Sequence, residues 1–275
     1  MKNELKPSIN WKITSFIALV HLFALLGGFC FSWSALAICL SLYWITGCLG
    51  ITLGFHRLLT HKSFKVPKWL EYFFATCGTL ALQGGPLTWV SVHKTHHFHS
   101  DQELDPHSPR EGFWWAHIGW ILHKSKFIND NDYKVKVIPE LLKDYYYKLL
   151  EHYGILFNLL LAKILYMMGG WSFVIWGIFV RLVLVYHTTW LVNSACHLWG
   201  YRTFYTPDRS RNNFWVALLT FGEGFHNAHH RFQDSARHGL EWWEFDITFL
   251  IIKFLGIIGL AKNIKLPFKS NINWM

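Results

Sequence analysis

The stretch of residues 35–61, ALAICLSLYWITGCLGITLGFHRLLTH, joins a long apolar run to a pair of histidines. Residues 35–55 contain no Asp, Glu, Lys or Arg, and an α-helix needs about 20 predominantly apolar residues to cross the hydrocarbon core of a bilayer. His56 and His61 follow where such a helix would leave the membrane. The stretch therefore predicts a transmembrane helix whose end delivers two imidazoles to the membrane surface.

Three other apolar blocks have the composition of membrane-spanning helices. Residues 13–33 contain no charged side chain, whereas residues 153–168 and 171–196 contain one each. Turns of a few residues join the four blocks in pairs. We predict an all-α integral membrane protein with four transmembrane helices in two hairpins, at about residues 13–31, 35–55, 153–168 and 171–196.

The basic residues orient these spans. Almost every Lys and Arg lies before the first span, in residues 56–152 or in residues 197–275, and loops rich in Lys and Arg stay in the cytoplasm. We therefore predict a multi-pass membrane protein in which a helical cytosolic cap, 56–152 and 197–275, forms one domain (1–275) with the spans. Residues 69–83 predict an interfacial helix. Residues 245–261 predict either a fifth span or, as we prefer, an amphipathic cytosolic helix.

Charge and cysteine content narrow the class of partner. The net charge is +9, which suits a cap resting on anionic membrane lipid or binding an acidic protein, and we expect no nucleic acid partner. The five cysteines form no C-x-x-C pair, so there is no signature of a zinc or iron–sulfur site and no disulfide framework.

Histidines cluster on the predicted cytoplasmic side. Residues 93–97 and 226–230 both have the pattern H-x-x-H-H, and on a helix this spacing places all three rings on one face. Imidazole binds iron, zinc, copper and nickel, and nine imidazoles are about right for two ions. The alternative is a set of unrelated surface or core histidines. The candidate ligands are His56, His61, His93, His96, His97, His197, His226, His229 and His230.

Acidic residues are too few near the clusters to act as the main ligands. Soluble di-iron bundles use paired E-x-x-H motifs, but this chain has a single one, Glu223–His226. We therefore predict an all-histidine centre in which Asp101, Asp105 and Glu223 accept N–H bonds from ligand rings, the alternative being solvated carboxylates. Such a centre at the membrane face suits oxygen chemistry on a lipid. A membrane metal transporter, the non-enzyme alternative, would place its ligands near the bilayer midplane.

The clusters and the residues around them resemble the histidine boxes of the membrane fatty-acid desaturases. The flanking motifs GITLGFHR (50–57), DPH (105–107), TWLVNSACH (189–197) and GEGFH (222–226) resemble the delta-9 type, which includes animal stearoyl-CoA desaturase. Residues 69–85 are similar to the cyanobacterial acyl-lipid members in particular. The similarity extends over about residues 35–262.

This resemblance implies a mushroom-shaped fold of four helices under a cytosolic cap that holds two iron ions. It implies that the nine histidines bind the irons, that Asn193 reaches one iron through water, and that the centre works without a separate acid or base. Trp89 and Trp190, each close before a ligand, are predicted walls of the acyl tunnel, with core packing as the alternative.

The implied reaction is oxygen-dependent insertion of a cis double bond, at delta-9, into a saturated C16 or C18 acyl chain. The acyl carrier is glycerolipid, which we prefer, or coenzyme A. A di-iron fatty-acid or alkane hydroxylase is the nearest enzyme alternative, since the same centre can transfer oxygen to carbon. Because the chain has no H-P-G-G haem motif, the electrons must come from a separate donor, and the basic cytoplasmic face suits an acidic ferredoxin.

Helix geometry predicts where the acyl tunnel ends. Trp44 and Cys48 lie 12 and 8 residues before His56, so on an ideal helix they share one face, about 18 and 12 Å deeper than the metal. The methyl half of an 18-carbon chain spans a similar distance. We predict that these two side chains close the tunnel and limit chain length.

Overall fold

Three helices of the computed structural model are long and apolar enough to cross a membrane. The structure describes residues 8–125, 127 and 130–267, and within them the three helices are Trp11–Gly28, Trp33–Thr60 and Tyr145–Leu198. The first consists of helix α1, Trp11–Leu25, and a short 3₁₀ turn. The second, α2, changes from α-helical to π-helical hydrogen bonding at Trp44. The third is α7.

Helix α7 is broken at two glycines. It contains 54 residues, about 81 Å if it were straight. The backbone leaves helical geometry at Gly169 and Gly170, and Gly170 has a φ of 62°, a left-handed conformation that glycine adopts without steric cost. Leu165 and Val174 share one buried cluster, so the two halves, α7a (145–168) and α7b (171–198), pack against each other.

Besides 3₁₀ turns, the described residues contain seven shorter helices outside these three. They are α3 (Lys68–Thr79), α4 (Pro86–His99), α5 (Trp115–Gly119 continued by Trp120–Leu122), α6 (Asn131–Val137), α8 (Phe214–Leu219), α9 (His226–Arg231) and α10 (Ile247–Ile257). Helix α3 corresponds to the predicted interfacial helix. Helix α10 has 11 residues, about 16 Å, which is too short for the fifth span considered for residues 245–261.

A close contact between α2 and α3 sets the position of the first histidine pair. A side chain at Gly50 would overlap the backbone of Gly78, and one at Gly54 would press on Phe74. Since glycine has no Cβ, the two backbones can approach at this point. Helix α2 continues beyond the expected end at residue 55, so that His56 lies inside the helix and His61 is its C-cap.

Arg181 joins four elements inside the bundle. This side chain, the single charge of α7b, is completely buried. Its guanidinium donates to the carbonyls of Gly177 and Leu80, at 2.7 and 3.0 Å, and to Thr46 and Asn158, both at 3.2 Å. An arginine in an apolar interior is costly unless it is hydrogen-bonded, and these four acceptors lie on α2, α7a, α7b and the turn after α3.

Candidate metal centre

The nine predicted histidines come together in two adjacent groups. Within each group the candidate ligand atoms all lie within 4.8 Å of one another. The five-histidine position consists of His56, His61, His93, His97 and His229, and the four-histidine position consists of His96, His197, His226 and His230. The sequence therefore identified every member of both groups, and the structure divides them unequally.

The spacing of the Nε2 atoms fits a metal ion. Neighbouring Nε2 atoms are 3.0–3.1 Å apart in the five-histidine position, as between His56 and His229, and 3.0–3.3 Å apart in the four-histidine position. Two imidazole nitrogens at about 2.1 Å from one ion and at right angles to each other would be about 3.0 Å apart. Imidazole donors suit iron as well as zinc or copper, so the residues present fit a di-iron centre.

Glu151 of α7a holds the start of α4, the helix that carries three of the ligands. The N-cap of α4 is Gly85, which has no side chain to accept the first N–H groups. Glu151 Oε2 accepts them instead, from Leu87 at 3.0 Å and Thr88 at 3.1 Å. A Cβ on Gly85 would collide with this carboxylate. The glycine therefore leaves the space in which Glu151 caps the helix.

Lys134 of α6 completes this arrangement. Its ammonium donates to Thr88 Oγ1 at 2.7 Å and lies 3.5 Å from Glu151 Oε1, and its side chain is only 9% exposed. The carboxylate and the ammonium thus neutralise each other in a mostly buried site. Nothing in the sequence indicated this pair.

Four carboxylates contact the ligand rings from behind. His56 Nδ1 lies 2.6 Å from Glu223 Oε2, His96 Nδ1 donates to Asp105 at 3.0 Å, and His197 Nδ1 donates to Asp101 Oδ2 at 3.3 Å. These carboxylates are the three that the sequence singled out. The fourth pair, His230 Nδ1 with Asp208 at 2.8 Å, was not predicted. The residues Thr206-Pro-Asp-Arg-Ser210 indicate a turn, but not which ring it faces.

Burial favours the neutral form of several candidate ligand rings; burial acts to lower the pKa of His96 as well, but Asp105 outweighs it and the pKa of His96 is raised. Burial drives the pKa of His61, His93, His97, His226 and His229 well below the ordinary value. Burial acts to raise the pKa of Asp105, but the positive potential of His96 and His107 outweighs it, and the pKa lies below the usual range. Neutral imidazole is the form that binds a metal ion.

Arg57, inside the first histidine pair, orients Glu223. It is fully buried, and its guanidinium donates to Glu223 Oε1 at 2.9 Å and to Asp246 Oδ2 at 2.9 Å. His238 Nδ1 lies 3.3 Å from the other oxygen of Glu223. Neither Arg57 nor His238 was predicted for the site, since a basic residue and a lone histidine carry no spacing signal.

Two apolar cavities meet beside the five-histidine position. The larger has a volume of about 320 Å³ and the smaller about 50 Å³. Trp89, His93, Thr189 and Asn193 line both, so the two cavities adjoin at these residues. Trp190 lines the larger one. The structure thus places the predicted tunnel residues Trp89 and Trp190, and Asn193, at one apolar space next to the ligands.

Trp44 and Cys48 do not line either cavity. Trp44 is 41% exposed, and Cys48 is buried with its Sγ 3.6 Å from Thr248 Oγ1 of α10. The wall of the smaller cavity on α2 is formed by Tyr43 and Gly47 among others. Ideal α-helical geometry does not hold here because π-type bonding begins at Trp44 and changes the number of residues per turn. A role for Trp44 and Cys48 at the tunnel end stays a prediction.

Comparison with known proteins identifies the family. The family model for fatty acid desaturases matches residues 10–253. The chain belongs to the fatty acid desaturase family. It is 55% identical over 267 residues to the sn-1 stearoyl-lipid 9-desaturase of Anabaena variabilis, covering 96% of this chain and 97% of that protein.

A second relative has the same name as the first, and a third is named for a different substrate. A protein with the same name from Synechocystis is 52% identical over 271 residues, covering 97% of this chain and 84% of the relative. The acyl-CoA C20 Delta5-desaturase of Anemone leveillei is 50% identical over 252 residues, covering 92% and 80%. This desaturase is therefore an oxidoreductase of lipid metabolism, with histidine groups that can hold metal.

Proposed function

We propose that this desaturase inserts a cis double bond at delta-9 into a saturated C16 or C18 acyl chain that is esterified to glycerolipid. The observation that supports it best is the pair of adjoining apolar cavities lined by His93, a member of the five-histidine position. The sn-1 and sn-2 acyl-lipid 9-desaturases among the relatives support the position and the carrier. The balanced reaction converts CH2–CH2, O2, two electrons and two protons into CH=CH and two waters.

Two iron ions fit the two histidine positions. Bound iron would supply the oxidising power that removes two hydrogens from an unactivated chain while O2 is reduced. The protein's own residues would hold the ions and orient the imidazole rings that bind them. Glu223 and the three aspartates keep the Nδ1 protons of their rings in place, so that Nε2 faces the ion. Asn193, on the wall of both cavities, would contribute through a water molecule.

The cavity walls position the chain. Trp89 and Thr189 line both cavities, so a chain that fills both would pass these two residues. The lining is mostly apolar and excludes water from the reacting carbons, which favours one product with its double bond at one position of the acyl chain. No side chain needs to act as a separate acid or base.

We propose that α7 crosses the membrane twice, which gives four spans in two hairpins. Its length is far above the roughly 30 Å of bilayer hydrocarbon, and its halves pack against each other on either side of the glycine pair. The basic residues of the cap then face the cytoplasm. A separate acidic donor such as a ferredoxin would dock on this basic side and deliver the electrons.

Fatty-acid profiling tests the proposal. The chain is expressed with a ferredoxin in a host that lacks monounsaturated lipids, beside the double variant His96→Ala, His97→Ala and the control His152→Ala, which changes an exposed histidine outside the centre. We expect 16:1 and 18:1 with a delta-9 cis bond in wild type and control, appearing first in glycerolipid. Hydroxylated chains, or unchanged lipids despite confirmed protein and iron, would refute it.

A short labelling pulse in the same cells shows whether the acyl substrate is carried on glycerolipid or on coenzyme A. A second candidate, an acyl-CoA desaturase, has specific support because relatives at 49–50% identity are named as acyl-CoA enzymes. First appearance of the product in acyl-CoA would favour it over the glycerolipid substrate.

A further inference from the structure

The outer carboxylates are distributed unequally between the two metal positions. In the four-histidine position three of the four rings have a carboxylate on Nδ1, namely His96, His197 and His230. In the five-histidine position one ring, His56, has such a partner, and the Nδ1 atoms of His97 and His229 have no hydrogen-bond partner among the described residues. The position with fewer imidazoles thus has more negative charge around it.

The single carboxylate of the five-histidine position is also compensated. Glu223 binds the buried Arg57 through Oε1, at 2.9 Å. In contrast, Asp101 and Asp105 accept mainly from backbone N–H groups besides their histidines: Asp101 from Arg209, and Asp105 from Asp101 and His107. Backbone donors hold a carboxylate in place without cancelling its full charge.

One loop builds much of this anionic side. Asp208 Oδ2 faces His230, while its Oδ1 accepts from Ser210 N at 2.9 Å and from Thr206 Oγ1 at 3.0 Å. Asn227, inside the third histidine cluster, fixes the same loop by accepting from the N–H groups of Thr203 and Phe204 at 2.8 Å. These hydrogen bonds hold the loop in place and keep the carboxylate of Asp208 against His230.

We propose that the two metal positions are electrostatically inequivalent and that Asp101, Asp105 and Asp208 make the four-histidine position the one that is oxidised first and reduced last. This rests on the proposed function, because it concerns the iron pair. A carboxylate on Nδ1 makes the imidazole a stronger donor, and nearby negative charge favours the ion of higher charge. Asp208 acts as a positioning residue, since it reaches the ion only through His230.

Mössbauer spectroscopy of the holoenzyme tests this inference. The full chain is loaded without oxygen with two ⁵⁷Fe(II) ions and treated with one equivalent of ferricyanide, which takes one electron per chain and becomes ferrocyanide. We expect the ferric ion mainly in one environment, with a preference of about tenfold if the carboxylates affect the ferric state as strongly as outer-shell partners usually affect metal affinity. Asp208→Asn should alter the spectrum of that environment and reduce the preference, and Asp208→Glu should restore part of it.

Matched variants separate this role from a general structural one. Glu223→Gln should alter the other environment, and Asp234→Asn, an exposed carboxylate paired with Lys265, should alter neither. Loss of one iron in Asp208→Asn, with the Glu223-sensitive signal retained, also agrees with the inference. Asp105→Asn is the independent second variant, and loss of both ions in Asp208→Asn and Asp105→Asn would overturn it.

Failure of this inference differs from failure of the proposed function. Two wild-type ions that oxidise in parallel, or one environment altered by both Asp208→Asn and Glu223→Gln, would overturn the inequivalence and leave the desaturase chemistry intact. A wild-type chain that binds no iron under any loading condition would overturn the proposed function, and the inference with it.

Discussion

Removing Glu151 should loosen the helix that carries His93, His96 and His97. In Glu151→Ala, the N–H groups of Leu87 and Thr88 lose their acceptor and the buried Lys134 loses its counter-charge. Breaking a buried ion pair from one side typically costs about 3–5 kcal/mol. In Glu151→Gln one oxygen remains, and exchanging two charge-assisted hydrogen bonds for neutral ones costs about 2 kcal/mol.

The assay is unfolding in detergent, followed by helical circular dichroism, with metal content measured on the folded samples. We expect the metal content of Glu151→Ala to fall, because α4 delivers ligands to both positions. Adding Lys134→Met to Glu151→Ala should recover at least about 1 kcal/mol, since it removes the unpaired charge.

The control is Glu140→Gln, which breaks the exposed pair Glu140–Lys143, 3.0 Å apart with both side chains about 70% exposed. Its free energy of unfolding should change by less than about 1 kcal/mol. If Glu151→Ala costs no more than this control, or if Lys134→Met adds its full separate cost to Glu151→Ala, Glu151 neither caps α4 nor pairs with Lys134.

Three further predictions follow from other parts of the molecule. Arg181→Met should lower the free energy of unfolding by about 2–4 kcal/mol, because the acceptors of Arg181 on four segments are left unpaired. Unfolding with dodecyl sulfate measures this loss, and an unchanged midpoint would count against the prediction. Gly47→Leu should shift products toward shorter chains, since even a Cβ there would lie 3.1 Å from Phe221 at the wall of the smaller cavity; gas chromatography of the products decides, and an unshifted distribution would place the chain end elsewhere. Burial acts to raise the pKa of Asp144, but Lys68 outweighs it and the pKa is lowered. The stabilisation that ionised Asp144 gives the folded protein is therefore complete above the unfolded pKa of about 3.9 and is lost as the pH falls further. The wild type should therefore lose its stability advantage over Asp144→Asn below about pH 4, and parallel melting curves across that range would contradict this.

The sequence predicted the elements whose signals are local. Uncharged runs identified the apolar helices, the short turn expected between residues 168 and 171 matches the break in α7, and the two H-x-x-H-H clusters supplied six of the nine histidines that come together. These signals depend on composition and helical period, which act within a few turns of the chain.

What the sequence could not predict depends on contacts between distant segments. Asp208 reaches His230 because Asn227 holds the intervening loop, and Glu151 reaches α4 because Gly85 admits it. The division of nine histidines into five and four is likewise set by how helices meet. The placement of Cys48 against Thr248 differs from the ideal geometry because hydrogen bonding in α2 changes type.

The buried charges around Arg57 restrict how this protein can change over evolutionary time. Arg57 is bound by both Glu223 and Asp246, and Glu223 in turn fixes a metal-binding ring. Substitution of Arg57 by an uncharged residue leaves two buried carboxylates without their counter-charge, which is strongly destabilising, and substitution of Glu223 removes the carboxylate behind His56. An exchange for apolar residues would have to occur at several positions together, and each intermediate would be poorly folded or poorly metallated. A lineage that needs the activity is thus confined to this solution by the lack of viable single steps away from it.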